Sequence, residues 1–160
     1  MKTLIVYASR YGYTSDCVTK LAGKLHGEVT TVNIDKEKTS DLEQYDNIVI
    51  GGSVKIGKIQ KSVIQFCETN KVLLLKKKVA FFISCGDQNH MQYLNGAIPE
   101  ELLTHALSVQ SFGGEFKTDK MNFIEKKMID MIKKSTVKEG KSLPVARYEN
   151  IDIIAEAINQ

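Results

Sequence analysis

Residues 2–14 read Lys2-Thr3-Leu4-Ile5-Val6-Tyr7-Ala8-Ser9-Arg10-Tyr11-Gly12-Tyr13-Thr14. Lys2 to Ala8 is an apolar run of strand length, too short for a helix of ordinary size. From Thr14 to His26 the pattern changes, with Val18, Leu21, Ala22 and Leu25 at helical spacing. Between them lies a short turn rich in hydroxyls, with one glycine. A buried strand that passes through such a turn into a helix is the first half of a βαβ unit, and the rest of the chain repeats it.

Working outward, Glu28 to Asn33 is β-branched and alternating, a second strand. Ser40-Asp41-Leu42-Glu43 has the form of a capping box opening a short helical turn. Asn47 to Gly52 reads as a third strand, Lys58 to Thr69 as a helix with Ile59, Val63 and Phe66 on one side, and Lys78 to Ser84 as a fourth strand. Pro99 suits the first turn of a helix running to Leu107. Ser108 to Gly113 is a fifth, weaker strand; Asp119 to Lys134 and Tyr148 to Asn159 are helical, with Ser135 to Ala146 irregular between them. Strands that are apolar throughout belong in a parallel sheet covered on both faces. Right-handed crossovers then give a doubly wound, three-layer α/β sandwich.

In an open parallel sheet, ligands bind beyond the carboxyl ends of the strands, where the strand order reverses. Three loops fall there. Ser9 to Thr14 offers two hydroxyls, a glycine for close backbone approach and Arg10, one of only two arginines in the chain. A helix N-terminus with such neighbours holds a phosphate. Ser and Thr are also ordinary helix caps, so a merely capped helix start fits the same residues. Neither GxGxxG nor GxxxxGK[ST] is present, which points to one terminal phosphate rather than a dinucleotide or triphosphate. The second loop is Gly51-Gly52-Ser53-Val54-Lys55-Ile56-Gly57 and the third Ser84-Cys85-Gly86-Asp87-Gln88. No histidine is placed to activate Cys85, so it reads as a small loop residue rather than a nucleophile.

The composition is that of one soluble globular domain spanning 1–160, with 42% hydrophobic and 26% charged residues. Three scattered cysteines and three histidines form no metal-ligand spacing, so no metal is expected. No apolar run reaches bilayer length and the first residues lack a signal-peptide pattern, so a cytoplasmic location is expected. The net charge is +3, and it is local: Lys117 to Arg147 holds nine basic and four acidic residues, a net +5, leaving −2 elsewhere. No aromatic-interleaved basic strand suggests nucleic acid. Met121, Ile124, Met128, Met131 and Ile132, spaced by threes and fours among lysines, describe a solvated helix packed on the domain, a lid, or, over 119–134, a peripheral contact with an anionic membrane.

The three loops together resemble those of the flavodoxin superfamily, and the resemblance covers the whole chain. Ser9-Arg10-Tyr11-Gly12-Tyr13-Thr14 is similar to the family's phosphate loop, [ST]-x-[ST]-G-x-T, with Tyr11 where a small hydroxyl is common. Within the superfamily the chain resembles the flavodoxin-like, menaquinone-dependent protoporphyrinogen dehydrogenases. It shares with them an arginine in the phosphate loop, a Gly-x-Ser-x-[KR]-x-Gly loop at Gly51 to Gly57, and a basic helical insertion, here about 117–147. The resemblance implies a five-stranded parallel sheet of order 2-1-3-4-5 and an FMN cofactor. Its phosphate would rest on Ser9, Arg10, Tyr11, Gly12, Tyr13 and Thr14. Its ring would lie between Gly52, Ser53, Val54, Lys55, Ile56 and Gly57 on one side and Ser84, Cys85, Gly86, Asp87, Gln88 and Tyr93 on the other. The chain has no tryptophan to stack on the ring, which leaves Tyr93 or His90 for one face. The implied function is electron carriage between redox partners, whether a protein or a quinone, or else a protoporphyrinogen dehydrogenase activity in heme biosynthesis. A phosphoacceptor receiver of the same topology needs acidic residues where this chain has Ser9-Arg10 and Gly52-Ser53, and is set aside.

Overall fold

The computed structural model describes residues 1–116, 118, 119 and 121–160. Its strands are β1 (Lys2–Tyr7), β2 (Glu28–Asn33), β3 (Asn47–Lys55), β4 (Lys58–Ile59), β5 (Lys78–Ser84) and β6 (Ser108–Gly113). Its helices are α1 (Tyr13–Ala22), α2 (Lys61–Leu74), α3 (Glu100–His105), α4 (Phe123–Lys138) and α5 (Glu149–Asn159). The sheet runs β2-β1-β3-β5-β6 with every pair parallel, which is the expected five-strand order once the short β4 is left aside.

Alternation along the strands feeds two cores. Leu4, Val6, Ile48, Ile50, Phe81 and Ile83 face α2 and α3, against Val63, Phe66, Leu74 and Leu102. Ile5, Val49, Ala80, Phe82 and Phe112 face α1 and α5, against Val18, Leu21, Ile151, Ile154 and Ile158. With both faces covered, the inner strands are apolar at every position, which is why their runs are continuous rather than alternating. Phe82 stacks on Phe112 with ring centroids 4.7 Å apart. A Cβ on Gly51 would come within 2.2 Å of the Phe82 ring, so glycine there lets the aromatic pair reach the β3 backbone.

Five elements differ from the sequence reading. α1 stops at Ala22, with Gly23 as its C-cap, four residues short of the expected His26. β3 runs on to Lys55 and folds back as β4, so the helix expected from Lys58 begins at Lys61. The turn after Ser40 is capped by Asp41, whose carboxylate accepts from the Glu43 amide at 3.0 Å. The helix after Pro99 stops at His105. The basic helix starts three to four residues later than expected and lasts to Lys138, because Asn122 caps it, accepting from the Glu125 amide at 2.9 Å. Lys117 and Lys120, part of the expected basic segment, lie outside the described residues.

The excursion that carries α4 is pinched at its base. Gly113 and Ala146 form an antiparallel bridge, the Gly114 amide donates to the Val145 carbonyl at 3.2 Å, and the Arg147 amide donates to the Phe112 carbonyl at 2.9 Å. The arm therefore leaves and rejoins the fold beside the carboxyl edge of β6, over the end of the sheet where the three loops meet.

Candidate functional site

At that edge lies a cavity of about 780 Å³, within the range of small-molecule and cofactor sites. Its floor is the turn after β1. Gly12 takes φ 101° and, among the described residues, no side chain caps α1, so the Tyr13, Thr14 and Ser15 amides that open the helix have no helical acceptor. Ser9 and Thr14 are buried beside them. The Asn33 amide donates to the Ser9 carbonyl at 3.1 Å, and Thr14 and Ser84 are joined hydroxyl to hydroxyl at 3.1 Å. Strands β1, β2 and β5 thus each fix one point of the turn.

One wall is the β3–β4 hairpin. Its tip, Ile56-Gly57, has positive φ at both residues, 50° and 71°, the signature of a type I′ turn. Glycine takes that conformation freely; a β-branched residue does not, so Ile56 holds backbone strain while its side chain stands 92% exposed. Gln60 braces the hairpin from behind, accepting from the Ser53 amide at 2.8 Å and donating to the Ser53 hydroxyl at 2.6 Å. A Cβ on Gly52 would meet Gln60 Oε1 at 2.5 Å, so this brace needs a glycine.

The facing wall is the loop after β5. Asp87 organises it: its carboxylate accepts from the Asn89 amide at 2.9 Å, from Gln92 at 2.9 Å and from the Tyr93 hydroxyl at 3.1 Å. The Asn89 contact is the first reason that its pKa falls below the ordinary carboxylate value. Tyr93 is raised by burial and then by that same carboxylate. Burial also raises the Cys85 thiol, which disfavours the reactive thiolate.

The roof is the arm. Met121, Met128, Ile129 and Ile132 line the cavity with Phe116 and Pro144, and Pro144 rests directly over Gly86, 3.0 Å from where a Cβ would lie. Glu125 reaches from α4 down to the phosphate-type turn, 3.4 Å from the Arg10 guanidinium. Its Oε1 also accepts from Asn122 at 3.2 Å, whereas Oε2 is buried with no hydrogen-bond partner among the described residues. Tyr11 lies under both cations of the site, 5.1 Å from Arg10 and 5.8 Å from Lys55. Its phenol is raised first by burial and then by Glu125.

Of the residues singled out by sequence, Ser9 to Thr14, Ser53 to Ile56, Ser84 to Asp87 and Tyr93 all line this cavity. Gly52, Gly57 and Gln88 do not: the first two shape the hairpin, and Gln88 points to solvent. His90 is outside the lining as well. Sequence reasoning missed Asp35, Gln60, Gly114, Glu115, Phe116, Glu125, Ile129 and Pro144, whereas Met121, Met128 and Ile132 of the arm belong to the run it singled out as a lid or surface helix. The apolar spacing of α4 was visible, but nothing in it says which stripe turns inward.

A family model described as a flavodoxin domain matches residues 4–142. The protoporphyrinogen IX dehydrogenase [quinone] of Escherichia coli strain K12 is 28% identical over 85 residues, covering 51% of this chain and 47% of that protein. The chain thus spans about half the length of the curated relatives it matches. Among solved structures, oxidised flavodoxin 1 from Bacillus cereus superposes with a TM-score of 0.51 at 25% identity, over 69% of this chain and 83% of its own. A flavoprotein in complex with FMN from Lactobacillus acidophilus does so with a TM-score of 0.52 at 18% identity, over 78% of this chain and 97% of its own. Rubredoxin oxygen:oxidoreductase from Desulfovibrio gigas gives a TM-score of 0.62 at 17% identity, over 99% of this chain and 35% of that one.

Proposed function

Because the chain belongs to the flavodoxin domain family, we propose that it binds FMN in the cavity at the carboxyl edge of the sheet and serves as a redox protein. The single observation that carries this reading is the uncapped start of α1 at a left-handed Gly12, ringed by Ser9, Thr14 and Arg10. That donor set fits a phosphate, although Arg10 is shared with Glu125 and Thr14 with Ser84, and the walls above are apolar around a cavity of about 780 Å³. Bound FMN would supply the electron chemistry. The amides of the turn would hold the phosphate, Val54 and Ile56 would face the loop of Cys85 to Asp87 across the ring, and Tyr93 would close the far end. Lys55 adds a cation on the ring side, favouring a more negatively charged cofactor. In this reading residues 1–160 form one FMN domain, with the arm as an insertion into it.

An absorption spectrum of the purified protein, with chromatography of the acid-released chromophore, tests the proposal. A flavin spectrum and released FMN support it. Protein that stays colourless and quenches no fluorescence when FMN is titrated in refutes it.

The apolar roof favours a second, finer reading. Met121, Met128, Ile129 and Ile132 form a wall that a protein-to-protein electron carrier does not need. Together with the likeness to the quinone-linked E. coli enzyme, it supports an oxidoreductase for a flat apolar substrate, a tetrapyrrole or a quinone. Anaerobic assay with protoporphyrinogen and a menaquinone analogue decides it, and absence of turnover by FMN-loaded protein removes it.

A further inference from the structure

None of the sixteen residues of α4 is buried. Its inner stripe, Glu125, Ile129 and Ile132, faces the cavity. On the outer side stand Phe123, Ile124 and Met131, each 70% exposed, with Val137 beyond them. Lys127, Lys134 and Lys138 share that side at helical spacing and are exposed. The helix carries five lysines against Glu125 and Asp130, and Glu125 is turned inward to Arg10. A helix that leaves three large apolar side chains and a row of cations in water gains little from its own domain on that face.

We propose that the outer face of α4 docks on an anionic lipid surface, with Phe123, Ile124 and Met131 entering the headgroup boundary and Lys127, Lys134 and Lys138 meeting acidic headgroups. The charge argues for an anionic partner, and the spacing argues for a fluid one. Its exposed apolar residues are interspersed along the helix with exposed lysines, Phe123 and Ile124 before Lys127 and Met131 before Lys134, with Lys127 lying 4.7 Å over the Phe123 ring. A surface that deforms around such projections suits it better than a shaped protein pocket. Docking by this face leaves the inner stripe over the cavity, so the site opens next to the bilayer. The inference concerns the surface of α4 and stands independently of what the cavity binds.

The test uses the full chain and two kinds of vesicle, phosphatidylcholine alone and an equal mixture with phosphatidylglycerol, at low and high salt. The chain has no tryptophan, so Phe123→Trp supplies a single reporter. Co-sedimentation and a blue shift with the mixed vesicles, weakened by salt and absent with neutral ones, is the expected result. Reversing Lys127, Lys134 and Lys138 to Glu lowers partitioning by at least roughly a hundred-fold, since each lysine near an anionic surface contributes about a factor of five. If the triple reversal does not fold, by far-UV circular dichroism, the same three changed to Gln carry the measurement. Equal binding to both vesicles, no binding to either, or undiminished binding of the lysine variants overturns the proposal. So does capture by polyglutamate with no shift on vesicles, which assigns the face to an acidic protein. FMN titration of the same samples is read separately, so failure at the lipid leaves the cavity's reading untouched.

Discussion

Glu125 places a carboxylate where an incoming phosphate needs Arg10. Replacing it with Gln removes the charge and keeps the size, and the helix start survives because the Asn122 cap accepts from a backbone amide. The magnitude follows from two terms. The Arg10–Glu125 pair is partly exposed, at 59% and 25% for the two side chains, and such pairs contribute about 0.2–1 kcal/mol. FMN must give up that pair or share the guanidinium with it. Two anions sharing one cation repel by about 1–2 kcal/mol at the effective dielectric of a partly exposed site. Together the carboxylate opposes phosphate binding by roughly 1–3 kcal/mol, so Glu125→Gln tightens FMN by about five- to a hundred-fold at low salt. The gain shrinks as salt screens the charges. Fluorescence-quenching titrations of both proteins at two ionic strengths measure it. A variant that binds FMN as the parent does, or more weakly, would falsify the placement of the phosphate at Arg10. The Tyr11 phenol gives an independent check: with Glu125 neutralised its titration moves down toward the usual tyrosine value, because the carboxylate helps to raise it.

Three further outcomes follow from the same geometry. Gly113→Ala destabilises the protein by about 1–3 kcal/mol or more, since φ is +71° and the new Cβ would lie 2.0 Å from the Val145 carbonyl oxygen; a lower melting temperature and faster tryptic cleavage in the arm are expected, and an unchanged melting temperature contradicts the pinched base. Ile56→Asn relieves the left-handed strain at the hairpin tip and stabilises by about 0.5–1 kcal/mol, while weakening FMN through loss of the apolar wall; a variant that is less stable refutes the strain. The carboxylate of Asp87 titrates below its ordinary value of 3.8, so its ties to Asn89, Gln92 and Tyr93 are fully present above that value and are lost as pH falls through the lower folded value. Amide signals of Asn89 and Gln92 followed by NMR from neutral pH downward stay in place to about pH 4, and their loss near pH 6 speaks against Asp87 as the organiser.

How much of this was legible in the sequence depended on the range of the interactions involved. Lys2 to Ala8, Asn47 to Gly52 and Lys78 to Ser84 were readable as inner strands because burial on both faces makes every position apolar, a local signal. The turn Ser9 to Thr14 was readable because strand, glycine and helix succeed one another directly, and the structure sets all six of its residues on the cavity. The hairpin was not. Ile59 lies 5% exposed as part of β4, yet its spacing to Val63 and Phe66 is helical, so a period count adds it to α2. Only the pairing with Val54, a contact across the turn, overrides that count. Gln60 was missed for a related reason. Its side chain reaches back to Ser53 and, at 3.4 Å, to the Ala8 carbonyl just past the end of β1, and no local pattern encodes a brace of that kind.

The arm shows the limit most clearly. Its apolar residues have two destinations, and the period alone cannot separate them. Ile132 turns to the cavity and Met131 away from it, one residue apart on the same amphipathic run. What sorts them is where the base of the arm is fastened, at Gly113 and Ala146, together with the contact that Glu125 makes across to Arg10. A glutamate among nine basic residues in the segment carries no mark of its own in sequence. Its partner is 115 positions away, and a pair at that range, with the fastened base, sets α4 so that one stripe roofs the cavity and the other faces outward.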